Sequence, residues 1–377
     1  MRNVKKIVFL SNNFTVHQAD LSDALWNITG GNYAFIETSE KARERQKLGN
    51  YRPPRPYVLV CWENEKLISK LIKEADVVIS GSAPEFLVQE RIETGKLLLR
   101  YSERPLKKGL ELWRYPDRFL RWHWRNPFWK PIYMLCASAY TASDYRKFGL
   151  FRNKVYKWGY FPATKRYPDP EKMIASKNET EILWCGRFLD WKHPDDAIEV
   201  ARILKEDGYA FSLKYIGAGM MENKLRQLVQ EYQLEEYVCF LGRMSTDQVR
   251  EHMETAGVYL FTSDRQEGWG AVLNESMNSG CAVIASRAVG STPYLLEDGK
   301  NGLVYESGNV EQLVEKVKYL LDRPQEQKQL GLAAYRTITE TWNAQTAAER
   351  LMELSEHFLN GEQTATLFET GPCSRAD

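Results

Sequence analysis

Residues 258–286 read VYLFTSDRQEGWGAVLNESMNSGCAVIAS, and the succession of residue types decides how the surrounding chain folds. Four apolar residues at 258–261 predict a strand that runs out by Ser263, and Glu267-Gly268-Trp269-Gly270 predict a loop. Apolar residues then recur at helical spacing over 271–279, before a second apolar run at 282–285. Strand, loop, helix and strand form the unit of a parallel sheet. Gly268 and Gly270 let backbone approach a ligand, and the helix start behind them offers N–H groups to an anion such as phosphate. Glu267 stands at that mouth. Glu275 follows eight residues later among Val272, Leu273 and Met277. A carboxylate in apolar company needs partners, which the hydroxyls of a bound sugar or ribose would supply.

Outward from this stretch the unit repeats. Strands are predicted at 182–185, 211–216, 238–241 and 303–305, with helices at 193–205, 221–233 and 310–321. The first half shows the same rhythm, with strands at 6–10, 33–36, 57–61, 77–80, 97–101 and 135–138 and amphipathic helices at 19–28 and 63–73. Between the two series, GYFPATKRYPDP places Pro162, Pro168 and Pro170 in a polar linker. The reading is an α/β protein of two doubly wound domains, 1–160 and 161–343, followed by a helix over 344–360 that is long enough to cross back. Residues 361–377 have the composition of a disordered tail.

A length of 377 residues at 43% hydrophobic content also suits two domains. No apolar run reaches the ~18 residues of a membrane span. The start, MRNVKKIVFLSNNF, reads as a first strand and not a secretory signal, which places the chain in the cytoplasm. Cys61, Cys136, Cys185, Cys239, Cys281 and Cys373 form no C-x-x-C pair and read as reduced thiols. His17, His123, His193, His252 and His357 never fall at metal-ligand spacing, so no metal is expected. The net charge of +1 conceals a division: residues 1–160 hold 28 Lys and Arg against 16 acids, and residues 161–377 hold 23 against 34. The first half therefore faces something anionic.

The spacing from Glu267 to Glu275, with VGSTPYLLEDGKNGLVY after it, resembles the donor half of the family 4 (group 1) glycosyltransferases of the GT-B fold. CGRFLDWK (185–192), YIGAG (215–219) and FLGR (240–243) match in order, so the likeness covers about half the chain. The resemblance implies two Rossmann-like domains facing a cleft. It also implies a nucleotide-sugar donor, UDP-linked by family habit, and transfer with retention of anomeric configuration. Cofactors are none, the nucleotide sugar being a substrate. By the same resemblance Glu267 holds sugar hydroxyls, Gly268, Trp269 and Gly270 meet sugar and phosphate, Glu275 with Leu273 beside it serves the ribose, and Arg243 and Met244 flank the base. Gly186 and Gly217 complete the donor set. Arg187 and Lys192, at the carboxyl edge of a strand, can neutralise the leaving diphosphate in place of a metal. Gly217 and Gly219 could alternatively open a dinucleotide fingerprint, but the third glycine is missing.

The chain departs from that family in two places. Gly290-Ser291 and Tyr294 stand where relatives carry paired glycines and an acid, and SNNFTVHQADLSDAL replaces the amino-terminal glycine-rich loop. His17 in this replacement, with Arg104, is a candidate contact for acceptor or phosphate. Glu103, after the 97–101 strand, is the candidate to orient or deprotonate an acceptor hydroxyl. Residues 104–130 hold eight Lys or Arg against two acids, with four tryptophans. Arg118, Arg121 and Arg125 share one helix face and interleave with Trp113, Trp122, Trp124 and Trp129, a composition suited to an anionic headgroup zone. The expected partners are therefore a nucleotide-sugar donor, a saccharide or lipid-linked saccharide acceptor and the inner face of the plasma membrane, without nucleic acid. The function expected is hexosyl transfer in synthesis of a surface polysaccharide such as capsule or lipopolysaccharide. Two rivals remain: a nucleotide-sugar epimerase of the same fold, and a noncatalytic membrane- or polymer-binding module that keeps the nucleotide pocket.

Overall fold

A computed structural model of the chain describes residues 4–39, 55–362 and 366–376. The chain divides into two compact units, Met1–Ala163 with Trp342–Asp377, and Thr164–Thr341. Each is built on one parallel sheet, so the fold is two Rossmann-like units.

In the first unit β1 (Ile7–Ser11), β2 (Tyr33–Glu37), β3 (Val58–Val60), β4 (Val77–Ser80), β5 (Leu98–Ser102), β6 (Ile132–Cys136) and β7 (Val155–Lys157) lie in the order 3-2-1-4-5-6-7. β1 pairs with β2 on one side (Ile7 with Tyr33) and with β4 on the other (Ile7 with Val77). Its residues are buried throughout, as a strand covered on both faces must be. In the second unit β8 (Asn178–Cys185), β9 (Ser212–Ile216), β10 (Val238–Phe240), β11 (Ala256–Phe261), β12 (Ala282–Ser286) and β13 (Leu303–Tyr305) lie in the order 10-9-8-11-12-13. Val258 of β11 pairs with Ile182 and with Ala282. The chain reverses direction across the sheet between β1 and β4 in one unit and between β8 and β11 in the other. Ligands of such sheets bind outside the carboxyl ends of the strands at these switch points.

The helix Ala344–Leu359 belongs to the first unit. Asn343 caps it by accepting from the Thr346 N–H at 2.9 Å, and Ala347, Leu351 and Phe358 turn inward. Phe358 stacks on Tyr133 at 3.8 Å between centroids. The expectation of a disordered tail at 361–377 is corrected over its described part. The Lys157 N–H donates to the Ser374 carbonyl (2.7 Å), the Cys373 N–H to that of Lys157 (2.8 Å) and the Ala376 N–H to that of Val155 (3.2 Å). Cys373, Ser374 and Ala376 are buried. Polar composition hid a segment that docks on β7, an edge whose backbone groups need partners.

Candidate functional site

At the switch point of the second unit, the loop after β8 and the loop after β11 are tied together by buried polar groups. The Trp184 indole donates to Thr262 Oγ1 at 2.9 Å, and that hydroxyl donates to the Lys192 carbonyl at 2.7 Å. The Asp264 N–H donates to the Trp191 carbonyl at 2.9 Å. These bonds bring the Lys192 ammonium onto Glu267 Oε2, an ion pair between residues 75 positions apart. Both side chains are only 12–13% exposed, and Ser263 Oγ donates to the same carboxylate at 3.3 Å. Sequence reasoning proposed both residues but missed the Trp184–Thr262 brace, which no local pattern announces. Arg187 and Arg243 stay exposed, and Met244 is half-buried.

The glycines divide into two kinds. Gly270 has φ +80° and opens the helix Ala271–Asn278; a Cβ there would lie 2.3 Å from the Phe261 ring. It leaves the first N–H groups of that helix beside Glu267, as an anion site requires. Gly217 is constrained by its own protein neighbours. A Cβ on it would sit 1.8 Å from the Gly186 carbonyl oxygen, so the packing of these two loops requires glycine there. The side chains of Trp269 and Leu273 are likewise in the core, with the Trp269 indole donating to Asn274 at 2.8 Å. A ligand could meet only their backbone. Ser291, where the family resemblance leads one to expect glycine, is buried with its hydroxyl donating to the Trp269 carbonyl, so the serine fastens the same loop.

Glu275 lies half-buried on the Ala271–Asn278 helix. Burial raises its carboxyl above the usual range, and the Arg250 guanidinium opposes the rise. Its charge is felt by Cys185 at the end of β8, which burial pushes up to about 12, and by Tyr259 on β11. The carboxylate therefore stands close to the carboxyl edge of the sheet. Arg250, which also donates to Asn278 Oδ1 at 2.8 Å, is a contributor the sequence reading missed.

At the switch point of the first unit lies a cavity of about 460 Å³ lined by the ends of β1, β4 and β5, among them Ser11, Ser80 and Glu103. Glu103 accepts from the Tyr160 hydroxyl at 2.6 Å and pairs with Lys107. Arg104 lines the same wall but is held by the buried Asp144 at 3.3 Å and lies over the Tyr140 ring. His17 is not on the wall. It stacks on Tyr160 at 6.2 Å, while its neighbour Gln18 reaches the cavity.

The helix Tyr115–Arg125 corrects the expected arginine face. Trp122 packs inward on Tyr145 and Phe148, at 5.1 and 4.6 Å. Arg118 is held by Glu111 and Arg125 faces Glu85, so the face shared by these residues meets protein and the cavity. Arg121 pairs with Asp117 on the flank. Beside the exposed Arg114, Asp117 and Arg121, the surface that points to solvent carries large apolar and aromatic side chains: Leu112, Trp113, Leu120, Trp124, Phe128 and Trp129 are 64–80% exposed. Helical spacing was read correctly, but which side faced outward depends on the Phe148 pocket, which lies far along the chain.

Among the described residues, His193, Asp195 and Asp196 bring three ligand atoms within 4.8 Å of one another. Asp195 pairs with Lys224 at 2.8 Å, and His193 faces Asp264 at 3.6 Å. No helix among the described residues is long and apolar enough to cross a membrane.

Residues 168–337, nearly all of the second unit, match the family model described as glycosyl transferases group 1. A GDP-mannose-dependent alpha-(1-6)-phosphatidylinositol monomannoside mannosyltransferase of Mycobacterium tuberculosis is 28% identical over 242 residues, 61% of this chain and 62% of that protein. The amylovoran biosynthesis glycosyltransferase AmsK of Erwinia amylovora is 27% identical over 198 residues, 50% of this chain and 48% of that protein. The chain thus spans about half to three fifths of the length of these relatives. The crystal structure of Anabaena HepE in complex with UDP superposes with a TM-score of 0.67 at 14% identity, covering 92% of this chain and 98% of that one. That of TarM gives 0.69 at 13%, covering 93% and 98%. At such identities the likeness establishes the fold, the two-unit architecture of GT-B glycosyltransferases.

Proposed function

Because residues 168–337 match the model of the group 1 glycosyl transferases, we propose that the chain moves a hexosyl group from a nucleotide sugar to a saccharide acceptor in polysaccharide synthesis. The observation that carries this reading is the shielded Lys192–Glu267 pair beside the helix start at Gly270. A diphosphate entering there is drawn by Lys192, by Arg187 at the loop mouth and by the first N–H groups of the helix. As Lys192 turns to phosphate, Glu267 is released to accept sugar hydroxyls. Glu275 receives those of the ribose, which supply the partners its burial demands.

The donor is a UDP-sugar. Fixed cations beside the leaving diphosphate stabilise the charge that develops as the glycosidic bond loosens, so transfer proceeds without a divalent metal. The acceptor enters from the face the bond breaks on, giving retention. The cavity of the first unit holds the acceptor, with Glu103 orienting its hydroxyl. The acceptor is lipid-linked, and the exposed aromatic surface around Trp113, Trp124 and Trp129 rests in the headgroup zone of an anionic membrane. Likeness to a mannosyltransferase named for a phosphatidylinositol acceptor supports this part.

The test is a transfer assay with UDP-sugars and lipid-linked saccharides in the presence of EDTA, with the new linkage assigned by NMR. The expected product carries the donor's anomeric configuration at undiminished rate in EDTA. An inverted product, activity only with added Mg²⁺ or Mn²⁺, or release of free sugar alone would each overturn the corresponding part.

A further inference from the structure

The wall of the first unit's cavity carries more positive charge than its acids match. Glu85 accepts from Arg100 at 2.7 Å and also faces Arg125 at 3.5 Å. Asp144, 1% exposed, is shared by Arg104 at 3.3 Å and Lys147 at 3.5 Å. Glu103 pairs with Lys107. Asp144 and Lys147 stand behind the wall; the residues that line it include the four cations Arg100, Arg104, Lys107 and Arg125 against the two carboxylates Glu85 and Glu103, an excess of two positive charges. The nearby acids Glu111 and Asp117 do not redress it, because Arg114, Arg118 and Arg121 hold them.

The cations differ in what they can still do. Arg100 and Arg104 are 12% and 10% exposed and are fixed by their partners, Arg100 also donating to Asn126 Oδ1 at 3.0 Å and to the Arg125 carbonyl at 2.8 Å. Arg125 and Lys107 are more than a third exposed, and both line the cavity. Around them the wall is neutral and hydrogen-bonding, with Ser11, Asn12, Ser82 and Asn126. Ser80, 2% exposed on the same wall, has a hydroxyl without a hydrogen-bond partner among the described residues. Tyr101 and Tyr160, set edge to face at 6.2 Å, give the apolar surface that the C–H face of a sugar ring packs on. A neutral sugar would use the hydroxyls and rings but leave the charge excess unanswered.

We propose that this cavity takes a saccharide residue bearing an anionic group, a carboxylate or a phosphate ester, which Arg125 and Lys107 meet. The proposal rests on the reading that the first unit holds the acceptor, and it adds that the accepting sugar is acidic. Carboxylate and phosphate present the same oxygen acceptors to a guanidinium and an ammonium, so the probes must separate them.

The experiment titrates the full chain with glucuronate, glucose 6-phosphate, glucose and inorganic phosphate, by calorimetry at low salt. It is repeated with Arg125→Gln and Lys107→Met, whose melting curves report whether they fold. The expected result is binding of glucuronate or glucose 6-phosphate at least tenfold tighter than glucose, weakened at least tenfold in either variant and falling with added salt. Which of the two binds identifies the anion. Equal binding of glucose, or no binding of either acidic sugar, overturns the proposal. So does inorganic phosphate binding as tightly as glucose 6-phosphate, which would mark an anion site that does not read a sugar. UDP is titrated into the same samples: an intact UDP response with no acidic-sugar binding removes this inference alone, whereas loss of the UDP response removes the donor reading.

Discussion

Glu275 is half-buried, and that burial disfavours its charged form. Burial raises its carboxyl, so the folded state prefers the protonated form more than the unfolded chain does. The contribution to stability is complete below the ordinary carboxyl value and is lost as pH rises through the folded one, so above that point the ionised side chain weakens the ligand-free protein. The groups facing it are Arg250, Cys185 and Tyr259, and burial keeps the last two neutral at that pH. Glu275→Gln should therefore melt higher than the wild type at pH 7–8, with the difference closing near pH 4. The same variant should bind nucleotide about 10- to 100-fold more weakly, since a charged hydrogen bond is worth about 1.5–3 kcal/mol. Melting curves over pH and a nucleotide titration check both; a variant that melts lower at pH 8, or binds unchanged, contradicts the role. Glu275 was legible in the sequence because a carboxylate among apolar residues demands a reason. Arg250 was not, because its claim on Glu275 arises only when two helices pack.

At the scale of elements, the strand-and-helix series could be read because each central strand is a short apolar run bounded by polar residues. β7 could not: Val155–Lys157 is three residues long and reads as loop until it pairs with β6 on one side and meets the 373–376 segment on the other. The loops of the second unit rest on glycine contacts that make a sharp prediction. Gly217→Ala, with its Cβ driven into the Gly186 carbonyl, should lose at least about 2 kcal/mol of stability, whereas Gly208→Ala, whose Cβ meets nothing within 4 Å, should lose only about 1 for its positive φ. Equal losses in denaturant melts would contradict the close approach. The Tyr115–Arg125 helix offers another test. Vesicles with anionic lipid should carry the protein in flotation at low salt. Replacing Trp113, Trp124 and Trp129 by Ala should abolish this, while Arg118→Gln, already spent on Glu111, should not. Failure of the wild type to float, or dependence on Arg118, would remove the docking surface.

The whole molecule returns to its beginning: the helix Ala344–Leu359 and the segment after it complete the first unit. Three backbone hydrogen bonds join residues 373–376 to β7, each worth about 1 kcal/mol, so deleting 366–377 should cost the first unit about 3 kcal/mol. For a unit of this size that is a fall of roughly 6–12 °C in melting temperature, with the second unit unaffected. An unchanged melt would show the segment to be ornamental. The two units were not equally legible. The donor half announced itself because Glu267, the glycines and Glu275 sit in one stretch, 258–286, and Arg187 and Lys192 sit near each other in a second short motif, 185–192. The cavity of the first unit draws on residues from 11 to 160, and its charge pairs, Glu85 with Arg125 and Arg104 with Asp144, close only in three dimensions.

The account stands on a nucleotide-sugar site in the second unit, and nucleotide-induced thermal stabilisation addresses it most directly. UDP, GDP and ADP are added in turn to the wild type and to Arg187→Ala. The prediction is that UDP at 100 times its Kd stabilises the wild type by about 2.7 kcal/mol, that GDP and ADP do far less, and that Arg187→Ala blunts the response. A folded protein that answers to none of the three, or an Arg187→Ala variant that answers as well as the wild type, would contradict it.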